Sequence, residues 1–76
     1  MSGLNNLDPL KAIKAFERAG WKQTRQTGSH VILTQAGNPI NISIPVHKGK
    51  PVKQELIRHQ IKIAGMSVDQ FMELYK

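Results

Sequence analysis

The chain has no cysteine, which excludes disulfides and thiolate-bound zinc. It is also poor in acid: five Asp and Glu stand against eleven Lys and Arg, and none of the five lies between Glu17 and Glu55. A hydrolase that works through two paired carboxylates is disfavoured on that ground. No apolar run approaches the roughly 20 residues that a membrane-spanning helix needs. Met1-Ser2-Gly3-Leu4-Asn5-Asn6 has neither the basic nor the apolar region of a secretory signal. The expectation is a cytoplasmic protein with no membrane partner. There is no glycine-rich phosphate loop, no G-x-S-x-G and no H-E-x-x-H, and no repeat or interdomain linker. With 76 residues the chain suits one small domain, which buries only about 60% of its unfolded surface.

What is present in excess is positive charge. The formal net charge is +6 and the sequence pI is near 10.1. The acid-free span holds Arg18, Lys22, Arg25, Lys48, Lys50 and Lys53. Charge of one sign over a folded segment is the footprint of a polyanion site, although a solvated surface can also be basic without one. The cations do not follow one amphipathic helix with Trp or Phe opposite them, so a membrane surface is the weaker partner.

Residues 1–7 read as a flexible end and 8–76 as one domain. Asp8-Pro9 predicts a helix start, with Asp8 as N-cap and Pro9 at the first helical position. Leu10, Ile13 and Phe16 recur at helical spacing, Ala12, Ala15 and Ala19 keep the adjoining face thin, and Gly20 ends the helix. Trp21 reads as an anchor between helix and sheet. Lys22 to Thr27 read as a polar edge strand. Gly28 marks a turn. In the next strand Val31 and Leu33, with Ser29, share one face, and His30, Ile32 and Thr34 share the other. If helices cover Val31 and Leu33, His30 opens onto the uncovered face.

Gln35 to Pro39 is turn chemistry. Ile40 to Ile44 alternates strictly, which predicts a strand with its isoleucines in the core and Pro45 at its end. A second helix is expected from Pro51, capped by Gly49 or Lys50, with Leu56, Ile57, Ile61 and Ala64 as its buried stripe. Ser67 and Gln70 fit a capping box for a short last helix carrying Val68, Phe71, Met72 and Tyr75. The order is helix, three antiparallel strands, helix, short helix. The fold class is α+β, with helices on one face of the sheet.

The three histidines are His30, His47 and His59, and none stands at metal-ligand spacing. No metal or other cofactor is expected. His59 fits a half-solvated helix boundary. His47 can contact phosphate or cap its loop, and the residues leave both open. His30 can hydrogen-bond its own hairpin or act on a substrate. Its neighbours favour the second role: a glycine turn, a serine before it, and cations without acids. Those are the parts needed to cut RNA without metal. Imidazole takes and gives protons near neutrality. A base removes the 2′-hydroxyl proton, the oxygen attacks the adjacent phosphorus, and cations hold the added negative charge. Proton transfer contributes typically about 10²- to 10⁴-fold, and the electrostatic part is usually larger. DNA would not be cut by this route.

At Gly28-Ser29-His30 before an apolar strand, and at Ile44-Pro45-Val46-His47, the sequence resembles the HicA toxin family of bacterial toxin–antitoxin systems. The resemblance runs from the first helix and Ala19-Gly20-Trp21 through Lys50-Pro51-Val52-Lys53-Gln54-Glu55-Leu56-Ile57 to Ala64-Gly65-Met66-Ser67. It implies a fold like the double-stranded-RNA-binding domain, an mRNA interferase activity, His30 as the catalytic histidine, and a HicB-type antitoxin that covers the active face.

The expectation is therefore an endoribonuclease acting on mRNA, monomeric when alone. His30 is general base or acid, Ser29 orients it or the phosphate, and Lys22, Arg25, His47, Lys48, Lys50 and Lys53 meet RNA. The rival readings are a non-catalytic RNA-binding module of the same fold and a pure protein-interaction domain.

Overall fold

The computed structural model describes Leu4 and residues 6–76. Helix α1 (Pro9–Arg18) is followed by strands β1 (Lys22–Thr27), β2 (His30–Thr34) and β3 (Ile42–Pro45), then by α2 (Gln54–Ile63) and α3 (Val68–Tyr75). The strands form one antiparallel sheet in the order β1-β2-β3. This is the α+β, double-stranded-RNA-binding-like arrangement expected. Among the described residues no helix is long and apolar enough to cross a membrane.

The helix ends follow local chemistry. The Asp8 side chain accepts from the Leu10 N–H, with Pro9 at the first turn. Ser67 and Gln70 exchange both bonds of a capping box at the start of α3. Helix α2 starts later than expected. Val52 donates its N–H to the Leu7 carbonyl at 2.9 Å in an isolated antiparallel bridge, which holds the chain extended past Pro51. Lys53, not Gly49 or Lys50, is then the cap residue.

The expectation of residues 1–7 as a flexible end takes in Leu4 and Leu7, and the same bridge ties Leu7 to Val52. Leu4 and Leu7 are 1% and 3% exposed and belong to the core. Two leucines that can each bury a side chain, and so contribute about 1.5–3 kcal/mol apiece, outweigh the polar residues between them. The part of that expectation on residues 1–3 and 5 lies outside the described residues. Asp8 also donates its N–H to the Tyr75 hydroxyl at 2.8 Å, fastening the first turn of α1 to α3.

The core is assembled from every element except β1. Ala12, Ile13, Ala15 and Phe16 of α1 meet Val31 and Leu33 of β2, Ile42 and Ile44 of β3, Ile57 and Ile61 of α2, and Phe71 of α3. Phe16 and Phe71 pack with ring centroids 5.0 Å apart, tilted by 48°, a geometry that favours aromatic pairs. Trp21 is buried with them, as expected.

Two apolar residues expected inside are outside: Leu10 is 60% exposed and Ile40 46%. Leu10 falls just beyond the stripe that Ile13 and Phe16 present. Ile40 precedes β3, whose first paired residue is Ile42. The Arg18 guanidinium donates to the carbonyls of Leu74 and Lys76 at 2.6 and 3.0 Å. It thereby caps the C-terminal end of α3, where positive charge is favourable.

Candidate active site

His30 is placed by a two-residue turn. Thr27 pairs with His30, leaving Gly28 and Ser29 as the loop. Gly28 has φ +59° and Ser29 does not share that sign, the pattern of a type II′ hairpin turn, which glycine adopts at little steric cost. Val31 and Leu33 are buried under the helices, while His30 is exposed on the opposite face. The sequence expectation for which face His30 takes therefore holds.

The register gives that face its neighbours. His30 stands between Thr27 on β1 and Pro45 on β3, and Ile32 between Arg25 and Ser43. The register shifts between Gln23 and Arg25, so Thr24 is an extra residue, a β-bulge. Lys22 pairs with Thr34 and Arg25 with Ile32. In a regular strand, residues three apart point to opposite sides. The bulge instead puts Lys22 and Arg25 on one side, the side of His30. Gln23 and Gln26 go to the helix side, where they line a cleft with Ile13, Lys14, Glu17 and Val31. The sheet has no Asp or Glu in any strand.

The β2–β3 ladder extends one step beyond the strands. The Val46 N–H donates to the Ser29 carbonyl at 2.6 Å. His30 and Pro45 are thus a non-hydrogen-bonded pair, whose Cα atoms are typically about 4.5 Å apart. It follows that the proline, which has no N–H, stands where the strand would otherwise offer a donor outward. The next outward donor, the Ser43 N–H, is taken by Gln60 Oε1 at 3.2 Å. The free margin of β3 is closed by these two devices.

Beyond Val46 the chain turns. Lys50 donates its N–H to the His47 carbonyl at 3.0 Å, with Gly49 at φ +76°. Pro45, His47, Lys50, Lys53 and Leu56 line one depression of about 400 Å³. It begins at Pro45, the cross-strand neighbour of His30. Lys48 is not part of it. It lines a second cleft with Asp8, Leu10 and Val46, and His47 and Lys50 line both.

The residues singled out in the sequence therefore fall into groups. Lys22 and Arg25 share the face of His30, and His47, Lys50 and Lys53 share the adjoining depression. Ser29 is a half-buried turn residue whose carbonyl anchors β3. Sequence reasoning missed Thr27 and Pro45 as the flanking residues of His30. The two-residue Gly28-Ser29 loop was the available signal for Thr27, since such a loop fixes its own register. Among the described residues no three of His, Asp and Glu converge as metal ligands.

A basic, acid-free sheet face with one exposed histidine can bind a phosphodiester chain and move a proton on it. Comparison with known families agrees with the resemblance. A family model described as the HicA toxin of bacterial toxin–antitoxin matches residues 11–66, from α1 to just beyond α2. No individual curated protein matches the chain. The match covers His30, its hairpin and the basic loop, well over half of the 76 residues, and on that footing the chain belongs to the HicA toxin family.

Proposed function

We propose that this toxin is a metal-independent mRNA interferase, in which His30 promotes attack of a ribose 2′-hydroxyl on the neighbouring phosphorus. The observation that carries this reading is the bulge at Thr24, which sets Lys22 and Arg25 on the same side as the exposed His30. The imidazole accepts the hydroxyl proton, the 2′-oxygen bonds to phosphorus, and the P–O5′ bond breaks as the 5′-oxygen takes up a proton. The products are a 2′,3′-cyclic phosphate and a 5′-hydroxyl.

Lys22 and Arg25 hold phosphates on one side of the reacting linkage. Lys50, Lys53 and His47 hold them on the other. Lys48, across the turn, adds to the positive field. Ser29 orients the turn that carries His30. Double-stranded-RNA-binding folds meet RNA largely through phosphate and 2′-hydroxyl groups, and the same chemistry suits the sheet face here. A HicB-type antitoxin silences the toxin by covering this face, and opposite potentials that speed association call for acidic residues where it does so.

The test uses purified protein with structured and unstructured RNA in the presence of EDTA. Cleavage by the native chain and none by His30→Ala is the expected result. A shifted but intact RNA band with the native chain would make the protein a binding module of the same fold.

A further inference from the structure

We infer that His47 is the second proton-transfer group of this reaction: it protonates the departing 5′-oxygen while His30 deprotonates the 2′-hydroxyl. The inference deepens the ribonuclease reading and rests on it. In an in-line displacement the entering and leaving oxygens lie on opposite sides of phosphorus, so one imidazole cannot serve both in one step. Without a donor the 5′-oxygen must leave as a strongly basic alkoxide.

The register leads from His30 to His47. Pro45 is directly opposite His30. Val46 is still in the ladder through its bond to the Ser29 carbonyl, and it lines the helix-side cleft with Ile13 and Val31. His47 lies just past the strand and lines the depression that begins at Pro45, the cross-strand neighbour of His30. Were the ladder continued to His47, the two histidines would be diagonal neighbours, about 7–8 Å apart and within reach of long side chains. Two imidazoles at that spacing can flank one phosphodiester.

His47 is also held on both sides. The 2.6 Å bond at Val46 fixes the chain before it, and the 3.0 Å bond from the Lys50 N–H to its own carbonyl fixes the chain after it. Such positioning is what an efficient proton donor needs. Lys50 and Lys53 line the same depression, where they can stabilise charge gathering on the non-bridging oxygens. His59, on α2, does not line it.

The step balances. The 2′-hydroxyl proton passes to His30 as the O2′–P bond forms. The P–O5′ bond breaks as its oxygen takes a proton from the His47 imidazolium. Exchange with water restores both rings.

The experiment compares two RNA substrates cut at one mapped linkage, one ordinary and one with sulfur in place of the 5′-bridging oxygen. A thiolate leaves without protonation. On the ordinary strand His47→Gln is expected to lose about 10²-fold or more in kcat. On the sulfur strand it should return to within about tenfold of native. His30→Ala should stay inactive on both. Native-like cutting of the ordinary strand by His47→Gln, or a loss that sulfur does not repair, would overturn the role of His47 while leaving the ribonuclease intact. A native chain that cuts neither strand would remove the ribonuclease reading and this inference together.

Discussion

The N–H of Ser43 donates to Oε1 of Gln60 at 3.2 Å, so a side chain of α2 completes the hydrogen bonding at the outer margin of β3. Gln60 is the one polar residue among the buried side chains described, at 9% exposure. It holds α2 against the strand that carries Pro45, and so it bears indirectly on the depression that Lys53 and Leu56 line from the other side.

Replacing that acceptor should be felt in stability. Gln60→Leu keeps the bulk and strands the Ser43 N–H, and a half-buried donor left unpaired costs about 1–3 kcal/mol. Urea denaturation followed by circular dichroism measures the loss. An unchanged midpoint would mean that water satisfies Ser43 equally well.

Leu7 gives a second stability measurement. Its side chain is 3% exposed and its carbonyl accepts the Val52 N–H. Leu7→Ala is expected to cost about 2–5 kcal/mol, the range for emptying a buried leucine site. A loss of only a few tenths would mean that the Leu7 side chain is not held in the core.

Much of this architecture is readable from the chain alone, because local chemistry and tertiary demand agree. Asp8-Pro9, Ser67-Gln70 and the alternation at Ile42 and Ile44 each specify their element. The histidine face follows from one parity argument on Val31 and Leu33. Apart from the exposed Leu10 and Ile40, the failures share a cause: each depends on a partner distant in sequence. Leu7 is buried because Val52 pairs with it, and the start of α2 is displaced by the same bridge. Gln60 looks like a surface residue until Ser43 lies beneath it. Thr24 is the sharpest case. Nothing in Lys22-Gln23-Thr24-Arg25 announces a bulge, yet without it strand parity separates Lys22 from Arg25.

That parity can be tested through RNA affinity. Lys22→Ala and Arg25→Ala should each weaken RNA binding, measured with the cleavage-dead His30→Ala chain. Each should also flatten the dependence of log K on log salt by about 0.7 per lost contact to single-stranded RNA. Lys14→Ala, whose side chain lines the helix-side cleft with Gln23 and Gln26, should change neither. Equal effects from all three would indicate a diffuse field in place of a face.

The most direct measurement takes two oligonucleotides that differ at one atom: an RNA cut at a mapped linkage, and its partner lacking only the 2′-hydroxyl on the 5′ side of that linkage. With EDTA present, the RNA should be severed to a 2′,3′-cyclic phosphate and a 5′-hydroxyl, while the deoxy partner binds as tightly and stays whole. Scission of the deoxy partner at a comparable rate would contradict the account, since no ribose oxygen would then be available for His30 to activate.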